Sequence, residues 1–171
     1  KQGYKMIDIY DSEALIKVYR MLNKKCEAID HFIREHALYF GPNTVEYGAE
    51  DVCNNILDLI ARKNQLINLK VIIDSAINKL PEKDKKILFI KMHYSISMDE
   101  LCAVLELKQR TAFRRIEQAY RNLCLVLNES KYIKKLEHIV RVEDWICSIR
   151  EEIKSRRMAF KCKSLELNNQ Q

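Results

Sequence analysis

The chain has 171 residues, which is enough for one domain or two small ones, and its content of Gly 3 and Pro 2 favours helix almost throughout. The net charge of +6 and the pI near 8.9 favour approach to a polyanion, but the charge is smaller than in histone-like proteins. No apolar run approaches membrane-spanning length and the N-terminal residues lack the apolar segment of a secretory signal, so we expect no membrane partner and a cytoplasmic location.

The residue types that carry catalysis and metal binding are scattered. The sequence has no Gly-rich phosphate loop, no His-Glu-x-x-His, no Cys-x-x-Cys, and no Ser or Cys nucleophile with an identifiable base. The cysteines at 26, 53, 102, 124, 147 and 162 are therefore interpreted as reduced thiols that act as small hydrophobes, in preference to a zinc site or a disulfide framework. We therefore expect that the protein is not an enzyme and that it binds no cofactor and no metal.

Residues 1–10 show no periodic pattern and are predicted to form an N-terminal arm. From Asp11 or Ser12, either of which can cap a helix, apolar residues recur at steps of four and three, which is a heptad seam. The seam consists of Leu15, Tyr19, Leu22, Cys26, Ile29, Ile33, His36 and Phe40. On this seam His36 is expected to be a hydrogen-bonded core or interface histidine. Gly41 to Gly48 then predict a turn or loop.

A second long helix is predicted to begin near Glu50 and Asp51 and to run to Leu80. Its apolar face is predicted to contain Val52, Ile56, Leu59, Ile60, Leu66, Ile67, Ile73, Ile77 and Leu80. Two amphipathic helices joined by a short loop predict an antiparallel hairpin over residues 11–79. Because the seam is long, we expect the hairpin also to pair with a second chain as a homodimer; a single partner within the chain would satisfy the same pattern.

Pro81 is predicted at the first position of a third helix that extends to about Tyr94. Its residues Ile87, Leu88, Lys91 and Tyr94 are expected to support the next two helices from behind.

The segment Ser97–Leu127 predicts two helices joined by a tight turn. Ser97 followed by Glu100 is the pattern of a capping box, which marks the start of the first helix. The packed face of this helix is expected to contain Leu101, Val104 and Leu105. The second helix carries a narrow apolar stripe at Ala112, Ile116, Ala119 and Leu123.

The other side of the second helix is polar and strongly basic. Its outward residues are Lys108, Gln109, Arg110, Thr111, Phe113, Arg114, Arg115 and Arg121. Five of the residues between Leu107 and Leu127 are Lys or Arg and only Glu117 is acidic, which makes phosphate oxygens a natural partner. A solvated cationic face is the alternative interpretation.

Leu80–Leu123 resembles the last DNA-binding region of sigma-70-type factors, which is a helix-turn-helix. With the upstream hairpin included, residues 14–127 are similar to the ArpU/RinA-type transcriptional regulators of phages and prophages, most clearly in the Leu80-Pro81 opening and in RTAFRRIEQAYRNL from Arg110 to Leu123. Two residues depart from this pattern: Glu106 occupies a turn where Gly is common, and Lys108 stands where Ser or Thr usually caps the second helix.

The resemblance implies a regulator that binds double-stranded DNA. The first turns of the second helix would then enter the major groove, where Gln109, Arg110, Thr111, Phe113 and Arg114 could reach base edges. Phosphate contacts would come from Lys108, Arg115 and Arg121. Two further hypotheses stay open: a sigma-like factor that works on RNA polymerase, and a viral packaging or assembly subunit that recognises DNA with the same motif.

The C-terminal part, residues 128–171, is predicted to be one helix with a basic tail. Helical spacing is seen at Ile133, Leu136, Ile139, Val140, Ile146, Ile149 and Ile153, with Trp145. Lys154–Lys163 contains five cations and no acid, and it is interpreted as a solvated helix end in preference to a phosphate-contacting tail. The whole chain is thus expected to be all-α, with a hairpin at 11–79, a helix-turn-helix domain at 80–127 and this C-terminal helix.

Overall fold

The computed structural model describes residues 7–38 and 48–168, and the side chains of residues 7–38, 48 and 50–159. These residues form seven helices and no strand, which confirms the all-α prediction. The helices are α1 (Ile9–Leu38), α2 (Ala49–Asn78), α3 (Glu82–His93), α4 (Met98–Leu105), α5 (Gln109–Asn128), α6 (Ile133–Val142) and α7 (Asp144–Asn168). Residues 1–6 of the predicted arm, residues 39–47 of the predicted loop with Phe40 of the seam, and the last three residues lie outside the described part.

Helices α1 and α2 run antiparallel along each other. The Lys63 Nζ atom lies 2.6 Å from an Asp30 carboxylate oxygen, and Lys70 Nζ lies 3.0 Å from Asn23 Oδ1, so rising numbers in α2 meet falling numbers in α1. The α1 seam faces inward, where it buries Leu15, Leu22 and Ile29. His36 on the same seam is exposed, so it is not a core residue of the single chain.

The predicted apolar face of α2 is wrong at two positions. Ile60 and Ile67 are 40% and 44% exposed. Leu69, Ile72 and Ala76 are buried in the core instead. A second apolar line on α2 therefore points away from the hairpin.

The chain enters α1 earlier than predicted. The Asp11 backbone N–H donates to the Asp8 carboxylate at 2.8 Å and the Asp8 N–H donates to the Asp11 carboxylate at 2.9 Å, so Asp8 caps a helix that begins at Ile9. Ile7 is buried, and its backbone N–H and C=O both bond the side chain of Asn128. Residues 7–10 are thus packed on the fold and do not form a free arm.

The C-terminal part is two helices, because the chain turns at Glu143. The Glu143 carboxylate is nearly fully buried, and it accepts hydrogen bonds from Arg62 at 2.8 and 2.9 Å and from Trp145 Nε1 at 2.7 Å. Burial raises the pKa of Glu143, but these hydrogen bonds prevail and hold it below its ordinary value. This contact ties α2 to the junction of α6 and α7, and α7 also packs along α1.

Helix α3 packs against α5 and α1, and its residues Ile87 and Leu88 are buried as predicted. Tyr94, predicted in the same supporting set, is 57% exposed. Among the helices of the described ranges, none combines the length and the apolar character that crossing a bilayer requires.

Candidate nucleic-acid interface

The start of α4 is fixed by the predicted capping box. The Ser97 hydroxyl accepts from the Glu100 backbone N–H at 3.2 Å, and the Glu100 carboxylate accepts from the Ser97 N–H at 2.7 Å. The hydrogen bonds of Glu100 with the backbone and with the side chain of Ser97 lower the pKa of Glu100. The pattern in the sequence was local and sufficient to find this cap. On the packed side of α4, Leu101 is fully buried, but Val104 is 56% exposed, which corrects its predicted place in the packed face.

The turn between α4 and α5 is tight and left-handed. Glu106 has φ 53° and ψ 42°, and among the described residues it is the only non-glycine with a positive φ. Its N–H bonds the Ala103 carbonyl at 3.2 Å, and the Leu107 N–H bonds the Cys102 carbonyl at 3.0 Å. This pair of hydrogen bonds is the Schellman arrangement, which glycine usually completes.

Replacing Glu106 by Gly is therefore expected to raise the free energy of unfolding by roughly 0.5–1 kcal/mol. The left-handed conformation strains a side chain with a Cβ, and the added freedom of the unfolded glycine offsets only part of the gain. Urea unfolding followed by circular dichroism measures the change. Glu129→Gly is a matched control, because Glu129 also ends a helix but has φ −81°. A Glu106→Gly variant no more stable than Glu129→Gly would contradict the argument.

Helix α5 begins after this turn without a side-chain cap. Lys108 occupies the N-cap position and makes no capping hydrogen bond. The predicted apolar stripe is buried in full, and Tyr120 and Leu127 extend it. This stripe packs against α1, α3 and α4, so the other side of α5 is directed outward.

The structure places all eight predicted site residues on that outward side. Each is exposed, and Phe113 is 50% exposed although it is aromatic. The exposed residues are Lys108, Gln109, Arg110, Thr111, Phe113, Arg114, Arg115 and Arg121. We call this set the α5 outer face.

Most of the charge on the α5 outer face is not neutralised by the protein. Lys108, Arg110, Arg114 and Arg115 form no ion pair with any other described side chain. Arg121 differs, since it lies 3.3 Å from a Glu117 carboxylate oxygen. The first turns of α5 therefore present cations and polar side chains that remain open to a ligand.

The basic tail begins with residues that have internal partners. Arg157 bonds Glu13 at 2.7 Å and Glu117 at 2.7 Å, so it ties α7 to α1 and α5. Arg156 lies 3.5 Å from Glu152, and Lys154 lies 3.8 Å from Glu151. Arg157 thus has a structural role, whereas Arg156 and Lys154 make exposed contacts with carboxylates of their own helix. All three lie in the middle of α7 rather than at a helix end, and the side chains of residues 160–163 lie outside the described part.

A second group of cations surrounds a cavity of about 140 Å³ beside the loop that leads into α4. Lys17, Arg20, Lys91 and Arg156 line it, with Glu13 and with the backbone region of Tyr94 to Ile96. Burial lowers the pKa of Lys91, an effect that Glu13 opposes and that Arg20 and Arg156 reinforce. These cations could not be grouped from the sequence, because they come from α1, α3 and α7 and no local spacing connects them.

Within the described part of the chain, no group of three or more His, Cys, Asp or Glu side chains is arranged to hold a metal ion. Comparison of the chain with protein-family models, with curated proteins and with solved structures finds no match.

Proposed function

We propose that this protein is a sequence-specific DNA-binding transcriptional regulator of the phage or prophage type, which inserts the start of α5 into the major groove. The observation that carries the proposal is the α5 outer face. It combines unpaired cations with polar side chains on a helix whose opposite stripe is buried, and it follows a tight turn from a capped helix. A helix of this kind, held from behind and open in front, is how helix-turn-helix proteins read DNA.

Side-chain chemistry divides the α5 outer face into two functions. Arginine pairs best with guanine edges, glutamine with adenine edges, and an aromatic ring can contact the thymine methyl group. Arg110, Arg114, Gln109, Thr111 and Phe113 are accordingly assigned to base edges. The remaining cations of the face, Lys108, Arg115 and Arg121, are assigned to phosphates, which fix the register without reading sequence.

The cation-lined cavity supports the same orientation. It lies beside Tyr94 to Ile96, directly before the N-terminus of α4. In helix-turn-helix proteins the first helix crosses the DNA backbone. Arg20 and Lys91 form no ion pair with other described side chains, so both are available for a backbone phosphate.

Selection from random duplex DNA with the purified full chain tests the proposal. We expect enrichment of one short motif, with binding that weakens as salt rises because phosphate contacts release counterions. If the protein acts as a homodimer, the motif should occur as two half-sites about 10 base pairs apart or a multiple of that distance. Binding without any sequence enrichment, or no binding at low salt, would reject sequence-specific recognition. Binding that requires added RNA polymerase would favour a sigma-like factor instead.

A further inference from the structure

A stripe of uncharged residues runs along the outside of α2. Its apolar members are 60%, 40%, 44% and 61% exposed at Leu57, Ile60, Ile67 and Val71. Cys53 and Asn64 complete the series and are also exposed. The six residues follow one another at steps of four and three, and we call them the α2 outer stripe.

The stripe is unusual because of the charge that it lacks. Charged residues make up 32% of the chain, yet none lies in the stripe or on its flank at Asn54, Ala61 and Asn68. The other flank carries Lys63 and Lys70, which bond Asp30 and Asn23 of α1. An ordinary solvated helix face carries lysine and glutamate, and depletion of charge is a mark of the centre of a protein interface. The α1 seam is already used within the chain, so this second line has no partner among the described residues.

We propose that the α2 outer stripe binds the same stripe of a second copy of this chain, as a parallel two-stranded coiled coil. The steps place Leu57, Asn64 and Val71 at the a positions of a heptad repeat. The d positions are then Cys53, Ile60 and Ile67. One asparagine at an a position specifies the register and the number of strands, and it counteracts the preference of isoleucine at d for three or four strands.

Both the choice of a second copy and the parallel direction follow from Asn64. A parallel pair has a two-fold axis along the seam, so each residue of the stripe lies opposite the same residue of the other chain. The two Asn64 side chains can then hydrogen-bond to each other. An antiparallel pair centred on the stripe would set Asn64 opposite Ile60 and would leave its amide unsatisfied.

The parallel arrangement places the C-terminal ends of both α2 helices together, and α3 to α5 follow those ends. For the part that concerns DNA the inference rests on the proposed function: two α5 outer faces would then be available to two half-sites. Six layers span just under three heptads, or roughly 27 Å at 1.5 Å per residue. Such a short seam predicts a dimer that dissociates in the micromolar range.

Sedimentation equilibrium of the full chain from about 1 to 100 µM, a range that brackets micromolar dissociation, is the first measurement. We expect a monomer–dimer equilibrium that Ile67→Asp weakens about 100-fold or more, because a carboxylate cannot be buried in a d layer. Ile67 is exposed in the single chain, so the helical content of the variant should be unchanged. Leu125→Asp is the matched control, since Leu125 on α5 is 59% exposed and lies outside the stripe.

Oxidation of the native Cys53 tests the direction of the pair. In a parallel dimer the two Cys53 residues share a layer, so mild oxidation should give a covalent dimer that Cys53→Ser abolishes. In an antiparallel dimer Cys53 would lie opposite position 71. A disulfide found only after Val71→Cys, joining residues 53 and 71, would overturn the parallel arrangement.

Asn64→Leu supplies a variant that should gain association. Removing the buried polar layer is expected to tighten the dimer about tenfold or more and to permit larger oligomers. A chain that stays monomeric at about 100 µM, or a dimer that Ile67→Asp and Leu125→Asp affect equally, would overturn the proposal. A monomer that still selects a single half-site would reject the dimer but not the proposed DNA recognition. A dimer that depends on the stripe but binds no DNA would support the dimer and reject the proposed DNA recognition.

Discussion

Replacing Arg110 or Arg114 by alanine is expected to weaken binding to the selected DNA site by about 1–3 kcal/mol for each substitution. That loss corresponds to roughly a 5- to 150-fold rise in the dissociation constant. Both guanidinium groups are exposed and unpaired in the described structure, so their full hydrogen-bonding capacity is available to guanine edges. Fluorescence anisotropy with the selected duplex, and with duplexes that carry each single base change, measures the effect. The alanine variant should lose its preference at one base position as well as affinity.

Arg20→Ala is the contrasting variant, because Arg20 is assigned to a phosphate. It should weaken binding to all duplexes by a similar factor and lower the salt dependence by about one released counterion. Arg110, Arg114 and Arg20 have no ion-pair partner among the described residues, so none of the three changes should lower stability by more than about 0.5 kcal/mol. If both α5 variants bind the selected site unchanged at low and at moderate salt, α5 is not the recognition helix.

The α4–α5 region could be predicted from the sequence because its signals are local. The capping box spans Ser97 to Glu100, and the buried stripe of α5 repeats at steps that one helix alone defines. The strain at Glu106 was also visible, since a turn that favours glycine carried another residue. These features depend on neighbours within four residues, so no knowledge of distant contacts was required.

The face of α2 could not be predicted, because two apolar lines run along the same helix. Ile60 and Ile67 fit the helical period as well as Leu66 and Ile73 do. Which line is buried depends on where α1 and α6 pack, and periodicity contains no information about that. Ile60 and Ile67 were therefore wrongly predicted to be core residues. They are exposed and belong to the α2 outer stripe.

The C-terminal helices and the start of α1 depended on still more distant residues. The turn at Glu143 is stabilised by Arg62, which is 81 positions away. Arg150 bonds Asp8 at 2.8 Å across 142 positions, and thereby fastens residues that the sequence suggested were a free arm. One sequence by itself gives no covariation from which such pairs could be found, so the break between α6 and α7 and the early start of α1 were not predicted.

Replacing Leu22 and Ile29 together by Asp is expected to abolish cooperative folding. These side chains are 1% and 7% exposed, on the face of α1 that packs within the hairpin. Each change removes a large buried side chain, which costs about 2–5 kcal/mol, and adds a carboxylate without a cation, which costs several kcal/mol more. The sum is comparable with or exceeds the 5–15 kcal/mol that stabilises a typical domain.

A second double variant separates this loss of the core from a simple effect of added charge. Met21 and Ala28 have the same spacing of seven residues, lie next to Leu22 and Ile29 in sequence, and are exposed. Met21→Asp with Ala28→Asp should therefore leave the melting temperature within a few degrees of the parent. Thermal melting by circular dichroism with light scattering on all three proteins gives the comparison. If Leu22→Asp with Ile29→Asp keeps its melting temperature and only its mass is halved, the α1 seam joins two chains. The hairpin would then be held between molecules, and the α2 outer stripe would not be needed for a dimer.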